Sequence, residues 1–284
     1  MSYTDKLKWS KEIADRIIKD YNPFAILVAY TSGADSNVAL KVATLFMPVS
    51  AAFTCDTTIS AIETLRNCER VASDVYGLKY ITKFPPYAGL KENPNTYAEI
   101  VKRHGFPGST DTAHAWMYRW LKDHTVSRII SSIRARRHNR PIVIVSGARR
   151  HESKRRWGTS EDITIQGNNI WLNIINDWTD QDCYEFTRDN DLDRYRSPIS
   201  HAIGLSGDCF CGSFAQPGDL LELKIASPTT HEKIIGLQQW VLDNTTMQWT
   251  WEEGPSKYQI KEKHGQLNLF TPNMLLCSTC INNH

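Results

Sequence analysis

The chain has 284 residues, close to two lengths of the roughly 150 residues typical of a domain, so one large α/β domain or a domain with a smaller appendage fits. Hydrophobic residues at 41% and charged residues at 23% lie near the soluble globular average, which excludes disorder along the whole chain. Lys+Arg 33 against Asp+Glu 31 gives a net charge of +2, so any nucleic-acid partner would have to meet a local patch rather than a global field.

Neither a basic-then-apolar leader nor a membrane-length apolar run occurs, and the expectation is a soluble, cytoplasmic protein with no membrane partner. Leu7, Ile13, Ile17 and Ile18 are spaced for an amphipathic helix over residues 5–21. The apolar run from Phe24 to Ala29, bounded by Pro23 and Thr31-Ser32-Gly33, predicts a strand buried on both faces, as in a parallel sheet. Helix over 36–46, strand over 49–53, helix over 59–76 and strand over 78–84 continue the alternation, which predicts a doubly wound, Rossmann-like α/β fold with a parallel sheet. Residues 85–108 are rich in Pro, Gly and Asn and read as a long loop with one short helix near Tyr97. A helix over 112–137 ends in the basic run from Arg134 to Arg140, and Pro141 to Ser146 forms another buried strand. Gly167-Asn168-Asn169 joins two short strands as a hairpin. Thr179, with Asp182 three residues on, has the pattern of a capping box. Past about Leu205 the alternation stops, leaving helices near 217–226 and 228–243. The predicted division is therefore a nucleotide-binding domain over 1–205 and a small helical, cysteine-containing region over 206–284, packed on the first.

The segment Thr31-Ser32-Gly33-Ala34-Asp35-Ser36 lies between the first buried strand and a helix, where open parallel sheets bind ligands. Small residues let backbone N–H groups approach a phosphate, and the helix N-terminus favours an anion. A polar turn capped by Asp35 or Ser36 is the other reading of these residues. After the second strand stand Asp56 and Thr57, which suit either a nucleotide pocket or a helix cap. The most specific segment is Ser146 to Arg156, where Gly147, Arg149, Arg150, Glu152, Ser153 and Arg156 follow a buried strand. Arginine forks match phosphate or sulfate. Glu152 would orient an arginine or a magnesium-bound group.

These motifs together resemble the phosphoadenosine-phosphosulfate (PAPS) reductase-like family of the adenine nucleotide α-hydrolase, or PP-loop, superfamily, which includes the ATP pyrophosphatases of DNA phosphorothioation. Residues 31–36 are similar to its Ser-Gly-Gly-x-Asp-Ser loop, with Thr31 and Ser32 replacing the first Ser and Gly. Asp56-Thr57, Glu63-Thr64 and Tyr76-Gly77-Leu78 are similar to "D-T-G … P-E-T … Y-G-L", and 147–156 to "G-x-R-x-x-E-S-x-x-R". Trp116 to Lys122 resembles "W-C-C … L-K", and Ile175 to Thr179 resembles "I-x-D-W-T". Met117-Tyr118 stands where adenylylsulfate reductases carry paired cysteines, so their cluster arrangement does not transfer.

Of the seven cysteines, Cys55, Cys68 and Cys183 are scattered and read as packing residues, whereas Cys209/Cys211 and Cys277/Cys280 form C-x-C and C-x-x-C pairs. Four thiolates from those pairs suit tetrahedral zinc or a four-iron, four-sulfur (4Fe-4S) iron–sulfur cluster, with redox cysteines as the alternative. The resemblance implies an ATP pyrophosphatase in which residues 31–36 hold the pyrophosphate, Mg²⁺ neutralises it, and Asp35, Ser36, Arg149, Glu152 and Arg156 serve catalysis. Adenylation of an acceptor would prepare it for sulfur transfer. Implied partners are an adenine nucleotide, a cysteine desulfurase or other sulfur donor, and a nucleic-acid acceptor; self-association is also compatible. Two alternatives stand beside this one. One is a sulfonucleotide reductase that releases sulfite with a thiol reductant, using Cys280 four residues before His284. The other is a nucleotide-binding subunit of a sulfur-transfer or DNA-modification complex.

Overall fold

The computed structural model describes residues 3–85, 96–108, 110–134, 139–152, 160–213 and 215–253. Its centre is a six-stranded sheet in the order β3-β2-β1-β4-β6-β5. Here β1 is Ala25–Ala29, β2 Ala51–Cys55, β3 Lys79–Lys83, β4 Ile142–Ser146, β5 Ile163–Gln166 and β6 Asn169–Asn173. Leu27 of β1 lies opposite Ala51 on one side and Ile144 on the other, both parallel. Strand β6 runs parallel to β4, and β5 closes the edge as an antiparallel hairpin partner of β6, turning through Gly167 at φ 59°. Ala25 to Val28 and Ile142 to Val145 are buried without alternation, the mark of strands covered on both faces. The architecture is a doubly wound α/β fold.

Three helices share the core on one side: α1 (Tyr3–Tyr21), α2 (Ala34–Phe46) and α7 (Asp180–Asp189). Ile13, Ala14 and Ile17 of α1 meet Val38, Leu40 and Val42 of α2 and Phe186 of α7 in one apolar cluster with Val28 and Val143. The predicted capping box is present: Thr179 Oγ1 accepts from the Asp182 N–H at 3.2 Å, and Asp182 Oδ2 accepts from the Thr179 N–H at 2.7 Å.

Elsewhere the helices depart from the sequence pattern. The helix expected over 59–76 begins only at Ile62 (α3, Ile62–Arg70) and widens into a π-helical turn over Val71–Val75. It starts late because Thr57 and Ser60 turn their hydroxyls onto the Asp208 carbonyl. Thr58, at φ 65°, is held by an N–H bond to Asp56 Oδ1 at 2.8 Å. The short helix expected near Tyr97 is present as α4 (Thr96–His104). The long helix expected over 112–137 is α5 (Asp111–Tyr118), a π-helical turn over Arg119–Asp123, and α6 (His124–Ile133). Residues 135–138 of the basic run lie outside the described residues. Residues 198–203 form α8 (Pro198–Ile203), with Ser197 as N-cap and Pro198 in the first turn, a helix the apolar pattern did not show. Then α9 (Asp219–Ala226) and α10 (Pro228–Asn244) follow.

The chain divides into two compact units, one within 1–54, 63–82 and 128–207, the other within 55–62, 83–127 and 208–284. The first holds almost the whole sheet. In the second, α4 and α10 pack together, and Trp249 donates its Nε1–H to the Phe106 carbonyl at 3.0 Å.

Candidate functional site

In the first unit, the connections after β1 and β4 lie side by side where the strand order reverses, the crevice at which open α/β sheets take ligands. Gly33 is the N-cap of α2 with an extended backbone, and having no side chain it makes no cap bond of its own. Ser36 Oγ donates instead to the Gly33 carbonyl at 3.0 Å and accepts from the Thr31 N–H at 3.4 Å. Gly33, rather than Asp35 or Ser36, thus occupies the N-cap position. Ser32 sits at φ 58°, a left-handed conformation that costs a non-glycine residue about 1–2 kcal/mol. Ala34 and Ser36 lie in the first turn of α2, with Asp35 between them.

Arg149 comes to this loop from the other strand end. It is buried, and its Nε lies 3.0 Å from Asp35 Oδ2 while Nη2 donates to Asp180 Oδ1 at 2.7 Å. Burial works against its charge, but Asp35 and Asp180 outweigh that and hold the guanidinium firmly protonated. Gly147 makes the approach possible: a Cβ there would stand 2.9 Å from the Asp35 carbonyl oxygen. Arg150 turns away, pairing with Asp177 at 3.3 Å and donating to the Ser160 carbonyl. Glu152 closes a short turn with its N–H on the Arg149 carbonyl. Ser153 and Arg156 lie outside the described residues. The structure thus brings Asp35, Ser36, Gly147 and Arg149 together, while both described arginines of the motif have carboxylate partners.

In the second unit, Asp56 shapes the Thr58 turn, and Thr57, fully buried, spends its hydroxyl on the Asp208 carbonyl at 3.0 Å. Asp208 pairs with Lys122 at 2.6 Å. Desolvation opposes the Lys122 charge, and Asp208 and Cys209 overcome it, leaving a protonated ammonium beside the C-x-C segment. Cys211 is held below the ordinary thiol range, chiefly because the Cys209 thiol donates to it, against a burial effect of opposite sign. Ser213 and Lys122 add to the effect. Gly212, at φ 84°, leaves room for the Trp251 ring, which a Cβ would approach to 2.9 Å. Among the described residues no three His, Cys, Asp or Glu side chains converge as a metal set. Cys277 and Cys280 lie outside the described residues. Cys55, Cys68 and Cys183 are buried thiols.

The profile of the phosphoadenosine phosphosulfate reductase domain family matches residues 25–196, more than half of the chain and the whole span from β1 past α7. The chain belongs to that family. Among solved structures it is similar to the phosphoadenylyl-sulfate reductase of Candida auris in a phosphate complex, at 14% identity and a TM-score of 0.42 over 67% of this chain and 80% of that one. It is also similar to the FMN adenylyltransferase of Candida glabrata in complex with FMN and the ATP analogue AMPCPP, at 13% identity and a TM-score of 0.37 over 65% and 58%. No curated protein matches the chain. Among the described residues no helix is long and apolar enough to cross a membrane.

Sequence reasoning missed Asp180, Asn67, Ser197 and the Lys122–Asp208 pair. Ser197-Pro198 was a legible helix start. Asp180 had no signal of its own, because its role depends on where Arg149 arrives.

Proposed function

We propose that this family member binds ATP at residues 31–36 and cleaves it to AMP and pyrophosphate, adenylating an acceptor for sulfur transfer. The observation that carries the reading is the helix start at Gly33, an N-cap with no side chain to occlude it, with Asp35 paired to the buried Arg149 at the sheet's reversal point. Such a site supplies backbone donors and a helix dipole to phosphate oxygens, and phosphoryl-type transfer asks chiefly for position and charge neutralisation. Mg²⁺ would supply that neutralisation. With no convergent carboxylate set among the described residues, its ligands would be mainly phosphate oxygens and water. Arg149 serves here as a brace for the loop, and Asp35 and Ser36 set its shape.

Cys209 and Cys211 would furnish two of four thiolates for zinc or an iron–sulfur cluster, and Cys277 and Cys280 the others. A sulfur donor such as a cysteine desulfurase and a nucleic-acid or small-molecule acceptor complete the scheme.

Incubation with ATP and Mg²⁺ tests it directly. Pyrophosphate and AMP should appear, EDTA should stop the reaction, and Asp35→Ala should abolish it; ADP and orthophosphate as the products would sink the reading. The family match favours a second reading, thiol-dependent reduction of a sulfonucleotide. That reading requires sulfite release with thioredoxin and its loss on Cys280→Ser.

A further inference from the structure

Ser32 holds the nucleotide loop in a backbone conformation that its own side chain disfavours, so something outside the loop must hold it there. The Ser32 carbonyl accepts from the Ser197 N–H at 3.0 Å. Its hydroxyl accepts from Asn67 Nδ2 at 2.7 Å, and the residue is wholly buried. Asn67, on α3 in the same unit, has every polar atom committed. Its Nδ2 also donates to the Tyr195 carbonyl at 2.8 Å, and its Oδ1 accepts from Arg70 Nη2 at 2.8 Å. A carbonyl can only accept and a guanidinium can only donate, so these partners fix which way the amide faces. The Asn67 side chain is therefore a rigid bracket between α3, the Tyr195 turn and the left-handed residue of the loop. No motif in the sequence marked it.

We propose that Asn67 is a positioning residue for the anion-binding loop, substituting by hydrogen bonding for the conformational freedom that a glycine at position 32 would provide. Its role in nucleotide affinity rests on the ATP reading above; its role in loop geometry does not. By turning the chain at Ser32, the bracket sets where the first turn of α2 presents its N–H groups, and hence how well phosphate oxygens meet them.

The test compares wild type, Asn67→Ala, Asn67→Leu, Ser32→Gly and the double variants Asn67→Ala/Ser32→Gly and Asn67→Leu/Ser32→Gly. Two measurements are made: amide hydrogen exchange of the peptide covering 31–36, and ATP binding by calorimetry. Thermal melting screens each variant for folding, and Asn67→Leu keeps the side-chain volume should the alanine variant fold poorly. Removing the bracket should raise exchange at 31–36 and weaken ATP binding by about tenfold, equivalent to about 1.4 kcal/mol. Adding Ser32→Gly should bring exchange and affinity back to within about threefold of wild type, because glycine adopts the left-handed conformation unaided. A merely structural asparagine would show no such rescue. Unchanged exchange in both Asn67 variants, or absence of rescue by Ser32→Gly, overturns the proposal. If wild type binds no ATP while exchange follows the expected pattern, the bracket stands and the nucleotide reading falls.

Discussion

At position 147 a side chain has no room. A Cβ would stand 2.9 Å from the Asp35 carbonyl oxygen and 3.3 Å from the Ala39 Cβ, and the first of these is backbone of the very loop assigned to phosphate. Gly147→Ala should cost about 1–3 kcal/mol through overpacking and weaken ATP binding more than the modest loss of melting temperature would suggest. Calorimetry against melting curves checks this, and unaltered affinity would show that the loop tolerates displacement. Arg149 presents a different case, because its value lies in shape. One guanidinium reaches Asp35 and Asp180 at once, which an ammonium cannot do. Arg149→Lys should lose at least one charged hydrogen bond, about 1.5–3 kcal/mol, and lower nucleotide affinity even in folded protein. Retention of full affinity would remove Arg149 from the site. The sequence motif announced both residues; that Arg149 faces a carboxylate of the loop rather than open space was legible only in three dimensions.

Among the elements, α7 has the clearest local code. Thr179 and Asp182 cap one another, and Lys6 of α1 adds an ion pair to Asp182 that ties two helices together. Burial alone would raise the Asp182 carboxyl, but bonds from Lys6 and Thr179 outweigh it and hold it below the ordinary range. A depressed carboxylate stabilises the fold fully above its unfolded value, about 3.9, and that contribution is lost as pH falls through the folded value. Asp182→Asn should therefore cost about 2 kcal/mol at neutral pH and converge on wild type in strong acid. Parallel stability curves at all pH values would contradict the assignment. Here the sequence was a sufficient guide, since a cap is made by residues three apart. The start of α3 was not legible in the same way: its delay to Ile62 depends on Thr57 and Ser60 meeting a carbonyl about 150 residues away in the chain.

For the whole molecule, the cysteine arithmetic yields a prediction that spans the chain's end. If Cys209, Cys211, Cys277 and Cys280 share one site, anaerobically purified protein should carry stoichiometric zinc or a brown cluster, absent from both Cys209→Ser and Cys277→Ser. Metal-free, fully folded protein with four titratable thiols would dismiss it. Elemental analysis and visible absorbance decide the matter, and loss of metal should destabilise the second unit, because metal binding is coupled to folding. The doubly wound fold and the loop after β1 followed from sequence alone, because buried parallel strands and the turns that bound them are written in neighbouring residues. The family membership was written there too. Tertiary structure decided the rest. It paired Asp35 with Arg149, set Asn67 beneath Ser32, and brought Lys122 to Asp208 beside the C-x-C motif. Each of these unites residues far apart in sequence, where no local pattern can record which charge or hydrogen-bond donor will meet which acceptor.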